Sequence, residues 1–137
     1  MVANLNNPSN IVIFGAGYVG MSLAVLLSQT NQVQVIDTDA SKITKINNKE
    51  TTVKDSLIQE YLSEKKLFLT ASLPSREIFQ ASQIYIIATP TDYDEDTNYF
   101  NTKSIENVVE DVLRINRNVT MVIKSTIPVG YTKALNK

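Results

Sequence analysis

Short apolar runs recur along the chain and alternate with stretches of helical period. The runs are four or five residues long and rich in β-branched side chains, which is typical of strands. They lie at Ile11–Phe14, Val33–Ile36, Leu67–Thr70, Ile84–Ala88 and Thr120–Ile123. The fourth run is apolar at nearly every position, as expected for a strand buried on both faces of a sheet. The pattern therefore predicts a sheet covered on each side.

Apolar residues three and four positions apart predict helices between these runs. The clearest set is Ile105, Val108, Val109, Val112 and Leu113. Weaker patterns predict helices at Tyr18–Ser28, around Lys42–Ile46, from Ser56 with Gln59 as a capping-box partner, and from Pro74 in a first turn to about Gln80.

Strands that alternate with helices indicate an α/β domain with a parallel sheet. Right-handed crossovers make such a sheet doubly wound and Rossmann-like, here as the N-terminal portion of the fold with about five strands. The polar stretches 89–102 and 124–130 predict loops. We assign residues 11–137 to this domain and the polar, Asn-rich residues 1–10 to a disordered tail.

Three glycines stand between the first predicted strand and the first predicted helix, in the sequence FGAGYVG. In this context Gly15 permits the tight turn, Gly17 lets a pyrophosphate approach the backbone, and Gly20 lets the helix pack close to the strand. The N-terminus of the helix then offers free N–H groups to phosphate. The spacing predicts a dinucleotide site, although glycine-rich turns also occur for packing alone.

Asp37 closes the second predicted strand, near the separation expected for an acid that binds the adenosine ribose. Its carboxylate would accept hydrogen bonds from the ribose hydroxyls and repel a 2′-phosphate. The next residues, Thr38 and Asp39, supply no arginine for such a phosphate, so NAD is favoured over NADP. The alternative for Asp37 is a helix cap or a turn acid. Lys42, one turn further on, either reaches the ribose or a phosphate or is solvated.

Composition narrows the classes of function. The 137 residues carry 13 basic and 14 acidic side chains, and this balance argues against a partner that is nucleic acid or an anionic membrane. No apolar run approaches the roughly 18 residues of a membrane span. The chain contains no Cys and no His, so disulfides, Cys/His zinc sites and thiol or imidazole catalysis within it are excluded. The lack of Cys is consistent with the cytoplasm, where we expect the protein.

Four segments together resemble a known family: GAGYVG, VIDTDASKITKIN, ATPTDYDEDTNYF and VIKSTIPVGYT. In order and spacing they resemble the N-terminal domain of the UDP-glucose/GDP-mannose dehydrogenases, and most of all the bacterial enzymes that act on UDP-glucose. The resemblance implies oxidation of the C6 alcohol of UDP-glucose to UDP-glucuronate with two NAD. It also implies a nucleotide-sugar partner, no metal, and a homodimer for the whole enzyme.

The resemblance further implies roles for individual residues. Tyr18 and Val19 cover the pyrophosphate, and Asp37 and Lys42 hold the adenosine ribose. Thr91 lies along the cofactor, and Thr126 sits by the nicotinamide and helps to place a catalytic water. From the residues alone, these threonines and Ser125 are equally suited to satisfying backbone groups in turns.

The resemblance also implies that several catalytic and sugar-binding residues of the family have no counterpart in these 137 residues. Family members are about three times longer, and their nucleophilic Cys, catalytic Lys and most sugar contacts lie beyond the position of residue 137. We therefore expect the 137-residue chain alone to be inactive on UDP-glucose.

Two other classes of function share part of the pattern. Regulatory nucleotide-binding modules of the potassium-conductance type have the glycines and the acid, but not ATPT or KSTIPVG. The other is a different NAD-dependent oxidoreductase, such as a β-hydroxyacid dehydrogenase, and the Thr-Pro-Thr and Lys-Ser-Thr loops argue against it. Finally, the acidic run Asp92, Asp94, Glu95 and Asp96 is read as a solvated loop, with a metal site as the alternative.

Overall fold

Parallel strands form the centre of the protein in the computed structural model, which describes residues 9–91, 93–96 and 99–136. Within this part the strands are β1 (Asn10–Phe14), β2 (Gln32–Ile36), β3 (Leu69–Ser72), β4 (Ile84–Ile87), β5 (Tyr93–Asp94), β6 (Tyr99–Phe100) and β7 (Thr120–Ile123). Five of them make a parallel sheet in the spatial order β3-β2-β1-β4-β7, while β5 and β6 pair antiparallel. From β1 the chain adds β2 and β3 on one side and then returns to add β4 and β7 on the other, so a topological switch point lies between β1 and β4.

Helices cover both faces of this sheet. They are α1 (Tyr18–Leu27), α2 (Ala40–Asn47), α3 (Ser56–Glu64), α4 (Arg76–Ala81), α5 (Lys103–Ile115) and α6 (Tyr131–Leu135). Successive residues of β1 point to opposite faces: Ile13 joins a core with α1, α2 and α3, and Val12 joins a second core with α4 and α5. Both side chains are fully buried, so the predicted doubly wound α/β fold is confirmed.

Several predicted boundaries differ from the structure. The third strand begins at Leu69, not Leu67, because its pairing with β2 begins where Val33 lies opposite Leu69. The side chain of Asn47 makes two 3.0 Å hydrogen bonds to the backbone of Ala71 within this edge strand. Asn10 belongs to β1, not to the tail, and residues 1–8 lie outside the described part. The antiparallel pair β5–β6 lies within the stretch 89–102, which was predicted as a loop. Strands of two residues are too short to show an alternation of apolar and polar positions in the sequence. Pro74 precedes α4, whose N-cap is Ser75, so its predicted place in the first turn is wrong.

The start of α3 is capped differently from the prediction. Asp55 is the N-cap, and its carboxylate accepts hydrogen bonds from the backbone N–H groups of Leu57 and Ile58 at 2.9 and 3.0 Å. Gln59 does not form the predicted capping box. Its side chain bonds the preceding loop instead, at the N–H of Thr51 (2.9 Å) and the carbonyl of Lys49 (3.0 Å).

The end of α2 places a lysine in a conformation that favours glycine. Lys49 has φ 61°, and its N–H donates to the Ile46 carbonyl at 3.0 Å. The N–H of Glu50 donates to the Lys45 carbonyl at 2.8 Å. These two bonds define a Schellman motif with Lys49 at the left-handed position.

An aromatic cluster underlies the carboxyl end of the central strands. The rings of Phe14, Phe79 and Tyr85 lie with centroids 5.7 to 6.4 Å apart. The fully buried Tyr85 hydroxyl lies 2.7 Å from the Phe79 carbonyl and 3.0 Å from that of Ser82. Burial raises the pKa of this phenol. Phe14, the last residue of β1 before the glycine turn, therefore packs against both of the other rings.

Candidate functional site

A cleft of about 910 Å³ opens at the carboxyl ends of the strands, where parallel sheets bind their ligands. It brings together every residue predicted for the site except Gly20. Those that line it are Gly15, Gly17, Tyr18, Val19, Asp37, Lys42, Thr91 and Thr126. The cleft therefore collects groups from four separate parts of the sequence.

Two of the three glycines are needed by the protein's own packing. Gly15 has φ +104°, and a Cβ there would collide with the Ala88 carbonyl. A Cβ on Gly20 would collide with the carbonyl of Gly15, so this buried glycine lets α1 lie directly against the turn. Gly20 acts beneath the cleft and does not line it.

Gly17 has no such requirement. A Cβ at this position would meet no atom of the described residues within 4 Å, and its φ of −87° is open to any residue. It is the N-cap of α1, and no side chain caps the helix there. The open space and the uncapped N–H groups fit the pyrophosphate of a dinucleotide.

Asp37 supports the glycine turn as well as lining the cleft. One carboxylate oxygen accepts the N–H of Ala16, and the other accepts that of Asp39, both at 2.9 Å. A carboxylate has about four acceptor sites, so capacity remains for ribose hydroxyls. Asp37 is thus also the turn acid considered as its alternative.

The helix cap is the neighbouring acid. Asp39 accepts the N–H and the hydroxyl of Ser41 at 2.9 and 2.6 Å, and the hydroxyl bond is the main reason that the pKa of Asp39 is lowered. Lys42 follows in the first turn of α2, half-buried along the cleft.

Two loops on the other side of the switch point are tied together. The Thr91 hydroxyl donates to the carbonyl of Thr126 at 2.6 Å, and the Ser125 hydroxyl donates to that of Thr89 at 2.7 Å. Ser125 therefore satisfies the backbone carbonyl of Thr89, which agrees with the structural alternative given for it above. The exposed Thr126 side chain makes no hydrogen bond within the described part of the chain, so its hydroxyl is available to a ligand.

Sequence reasoning missed a wall of the cleft. Ser104, Asn107 and Asp111 line it from α5, together with Pro74 and Phe79. The three α5 residues recur at helical spacing beside the apolar stripe. That spacing could have grouped them on one face, but only the tertiary structure brings that face to the cleft.

Residues 9–137 match the family model of the UDP-glucose/GDP-mannose dehydrogenases, NAD binding domain. The chain belongs to this family. The predicted resemblance and the predicted cofactor, NAD, are confirmed by this match, which does not favour the regulatory-module alternative.

Relatives within the family are longer than this chain. A UDP-glucose 6-dehydrogenase of Streptococcus pneumoniae is 48% identical over 127 residues, covering 93% of this chain and 32% of that protein. One of Campylobacter jejuni is 43% identical over 129 residues, covering 93% and 33%. The chain thus spans about a third of the length of these curated relatives.

Solved structures share the fold. A GDP-mannose dehydrogenase from Pseudomonas aeruginosa superposes with a TM-score of 0.79 at 23% identity, over 90% of this chain and 30% of that one. A UDP-glucose dehydrogenase from Pyrobaculum islandicum gives 0.77 at 23% identity, over 95% and 32%. At this identity the likeness shows a common Rossmann-like architecture.

The described residues form neither a cluster of metal ligands nor a helix that could span a membrane. Among the described residues, no group of three or more acidic side chains is arranged to hold a metal ion. Asp92, part of the predicted acidic loop, lies outside those residues. No helix in the described part is long and apolar enough to cross a bilayer.

Proposed function

We propose that the cleft holds NAD across the switch point, with the pyrophosphate at Gly17 and the adenosine ribose at Asp37. The observation that carries this proposal is the open space at Gly17, which the packing of the described residues does not require. Tyr18 and Val19 are 56% and 48% exposed at the mouth of the cleft, where they can cover the pyrophosphate. Lys42 lines the same cleft as Asp37, where it can bind the same ribose or its phosphate.

The charge of Asp37 supports the choice of NAD over NADP. A 2′-phosphate would bring about two negative charges beside a carboxylate that is already held by two backbone N–H groups. Asp39 adds a second carboxylate nearby. The ribose hydroxyls of NAD, in contrast, can donate to the unused acceptor sites of Asp37.

We further propose that the domain serves oxidation of the C6 alcohol of UDP-glucose to UDP-glucuronate, with NAD supplying the hydride acceptor. Thr126 is the residue of this chain closest to that chemistry. Its carbonyl is fixed by Thr91, so its free hydroxyl is presented from a braced loop and can position a water or the nicotinamide. A hydroxyl can donate and accept without adding charge.

The chain alone is proposed to bind NAD without turning over UDP-glucose. The family resemblance implies a Cys nucleophile, and this chain has none. Steady NADH formation by the purified 137 residues with UDP-glucose and NAD, followed by near-ultraviolet absorbance, would contradict this. The homodimer, the nucleotide-sugar partner and the cytoplasmic location stay predictions for the protein that carries this domain.

A chimera tests the proposed function. This chain replaces the matching 127 residues of the Streptococcus pneumoniae relative, to which it is 48% identical. We expect the chimera to reduce NAD with UDP-glucose. We expect Thr126→Val to lower kcat about tenfold or more with little change in the affinity for NAD, and Thr132→Val, outside the cleft, to serve as the matched control. A folded chimera that binds UDP-glucose but does not reduce NAD would overturn the proposal.

A further inference from the structure

One hydroxyl outside the cleft reaches the glycine turn from a distant loop. Thr52 lies between α2 and α3, and its hydroxyl donates to the carbonyl of Ala16 at 2.6 Å. Thirty-six residues separate the two positions. Thr52 itself does not line the cleft, and no sequence motif includes it.

Ala16 is held on both sides by side chains. Its N–H donates to Asp37 and its carbonyl accepts from Thr52. Ala16 is fully buried, so without Thr52 its carbonyl would lose a partner that water does not readily replace. The two bonds together fix the backbone of the residue between Gly15 and Gly17.

The orientation of the next N–H follows from this. The peptide unit that joins Ala16 to Gly17 is planar and trans, so its carbonyl and its N–H point in opposite directions. A bond that holds the Ala16 carbonyl toward Thr52 therefore also sets the direction of the Gly17 N–H. Gly17 lines the cleft and begins α1.

The loop that carries Thr52 is itself braced. Gln59 bonds the backbone of Lys49 and of Thr51, at 3.0 and 2.9 Å. The Tyr18 hydroxyl adds a second link to the same loop, 3.3 Å from the Lys54 carbonyl. A rigid support of this kind can hold a binding group within a fraction of an ångström of its working position.

We propose that Thr52 is a positioning residue for the pyrophosphate of the cofactor, acting through the Ala16–Gly17 peptide without touching the ligand. This inference rests on the proposed function of the cleft. It predicts that the hydroxyl of Thr52 matters for ligands that carry a pyrophosphate and matters little for those that carry only the nucleoside.

The test compares three variants of the full 137-residue chain. Thr52→Val removes the donor and keeps the shape, and Thr52→Ser keeps the donor. Thr51→Val is the control, because the Thr51 hydroxyl bonds only within the loop: it donates to the Val53 carbonyl at 2.8 Å and accepts the Val53 N–H at 3.2 Å. Calorimetry measures the Kd of ADP-ribose and of NAD, NMR titration measures that of adenosine, and circular dichroism gives the melting temperature.

For Thr52→Val we expect the Kd of NAD and of ADP-ribose to rise about five- to tenfold, the effect of one lost hydrogen bond, while adenosine changes less than about twofold. Thr52→Ser and Thr51→Val should bind all three ligands within about twofold of the unmodified chain. If Thr52→Val does not fold, Thr52→Ala removes the same hydroxyl without the added methyl group and takes its place.

Three results would overturn the inference: unchanged NAD affinity in Thr52→Val, equal losses for NAD and adenosine, or an equal loss in Thr51→Val. A failure of the unmodified chain to bind NAD at all would instead refute the proposed function of the cleft. The two failures are therefore distinguishable.

Discussion

The substitution Gly17→Ala separates the needs of a ligand from the needs of the fold. The added Cβ would meet no atom of the described residues within 4 Å, and the backbone angles of Gly17, φ −87° and ψ −164°, suit alanine. Alanine is a poorer N-cap than glycine by somewhat under about 1 kcal/mol, but it loses less backbone entropy on folding by about 0.4–1 kcal/mol, so the two effects nearly cancel. We expect the free energy of unfolding to change by less than about 0.5 kcal/mol, or about 3 °C in melting temperature.

The effect on NAD should be much larger. If a pyrophosphate lies against the backbone at Gly17, the methyl group occupies its space, and overpacking of this kind costs about 1–3 kcal/mol. The Kd of NAD should therefore rise about 5- to 150-fold. Calorimetric titration measures the affinity, and thermal unfolding followed by circular dichroism measures the stability.

Gly20→Ala is the control, with the opposite balance. Its Cβ would collide with the carbonyl of Gly15, so it should destabilise the fold by several kcal/mol, well beyond the change at Gly17. The reasoning is refuted if Gly17→Ala binds NAD as tightly as the unmodified chain, or if it melts as early as Gly20→Ala.

Three further predictions concern the framework of the site, each measured as the free energy of unfolding in urea. Lys49→Gly should stabilise by about 0.5–1 kcal/mol because φ is 61° there; a loss of stability would contradict the Schellman assignment. Asp55→Ala should cost about 1 kcal/mol by leaving the first N–H groups of α3 without their cap, and an unchanged value would rule that cap out. Burial raises the pKa of Tyr85, so stability should fall as the pH rises above about 10 toward the pKa in the folded state. Tyr85→Phe should lose that part of the pH dependence, and an identical pH profile in the variant would contradict it.

The elements with a strong period could be predicted from the sequence. The stripe that begins at Ile105 lies on α5, and the apolar run at Ile84 forms β4, in which three of four residues are buried. Both patterns could be detected because buried positions carry apolar side chains, and the spacing of those side chains indicates the type of element. The edge strand β3 was predicted two residues too early, because its bounds are set by its pairing with β2 from Val33–Leu69 onward, a tertiary contact that leaves no period in the sequence.

The part of the site that follows from the strand topology could be predicted from the sequence. Gly15, Gly17 and Asp37 follow adjacent strands of a parallel sheet, so their meeting at the cleft follows from topology. Two properties of Asp37 and Thr91 did not follow. Asp37 accepts the Ala16 N–H, so Asp37→Ala would loosen the turn as well as remove the proposed ribose contact. The Thr91 hydroxyl donates its hydrogen to the Thr126 carbonyl. Such bonds between loops depend on how the folded chain packs.

The comparison of NAD with NADP tests the central claim most directly. Calorimetric titration of the 137-residue chain with each cofactor, under the same salt and pH, measures the effect of one phosphate group beside Asp37. The account predicts measurable NAD binding and NADP binding weaker by about tenfold or more, equivalent to about 1.4 kcal/mol. Equal affinities, a preference for NADP, or no binding of either cofactor would contradict it.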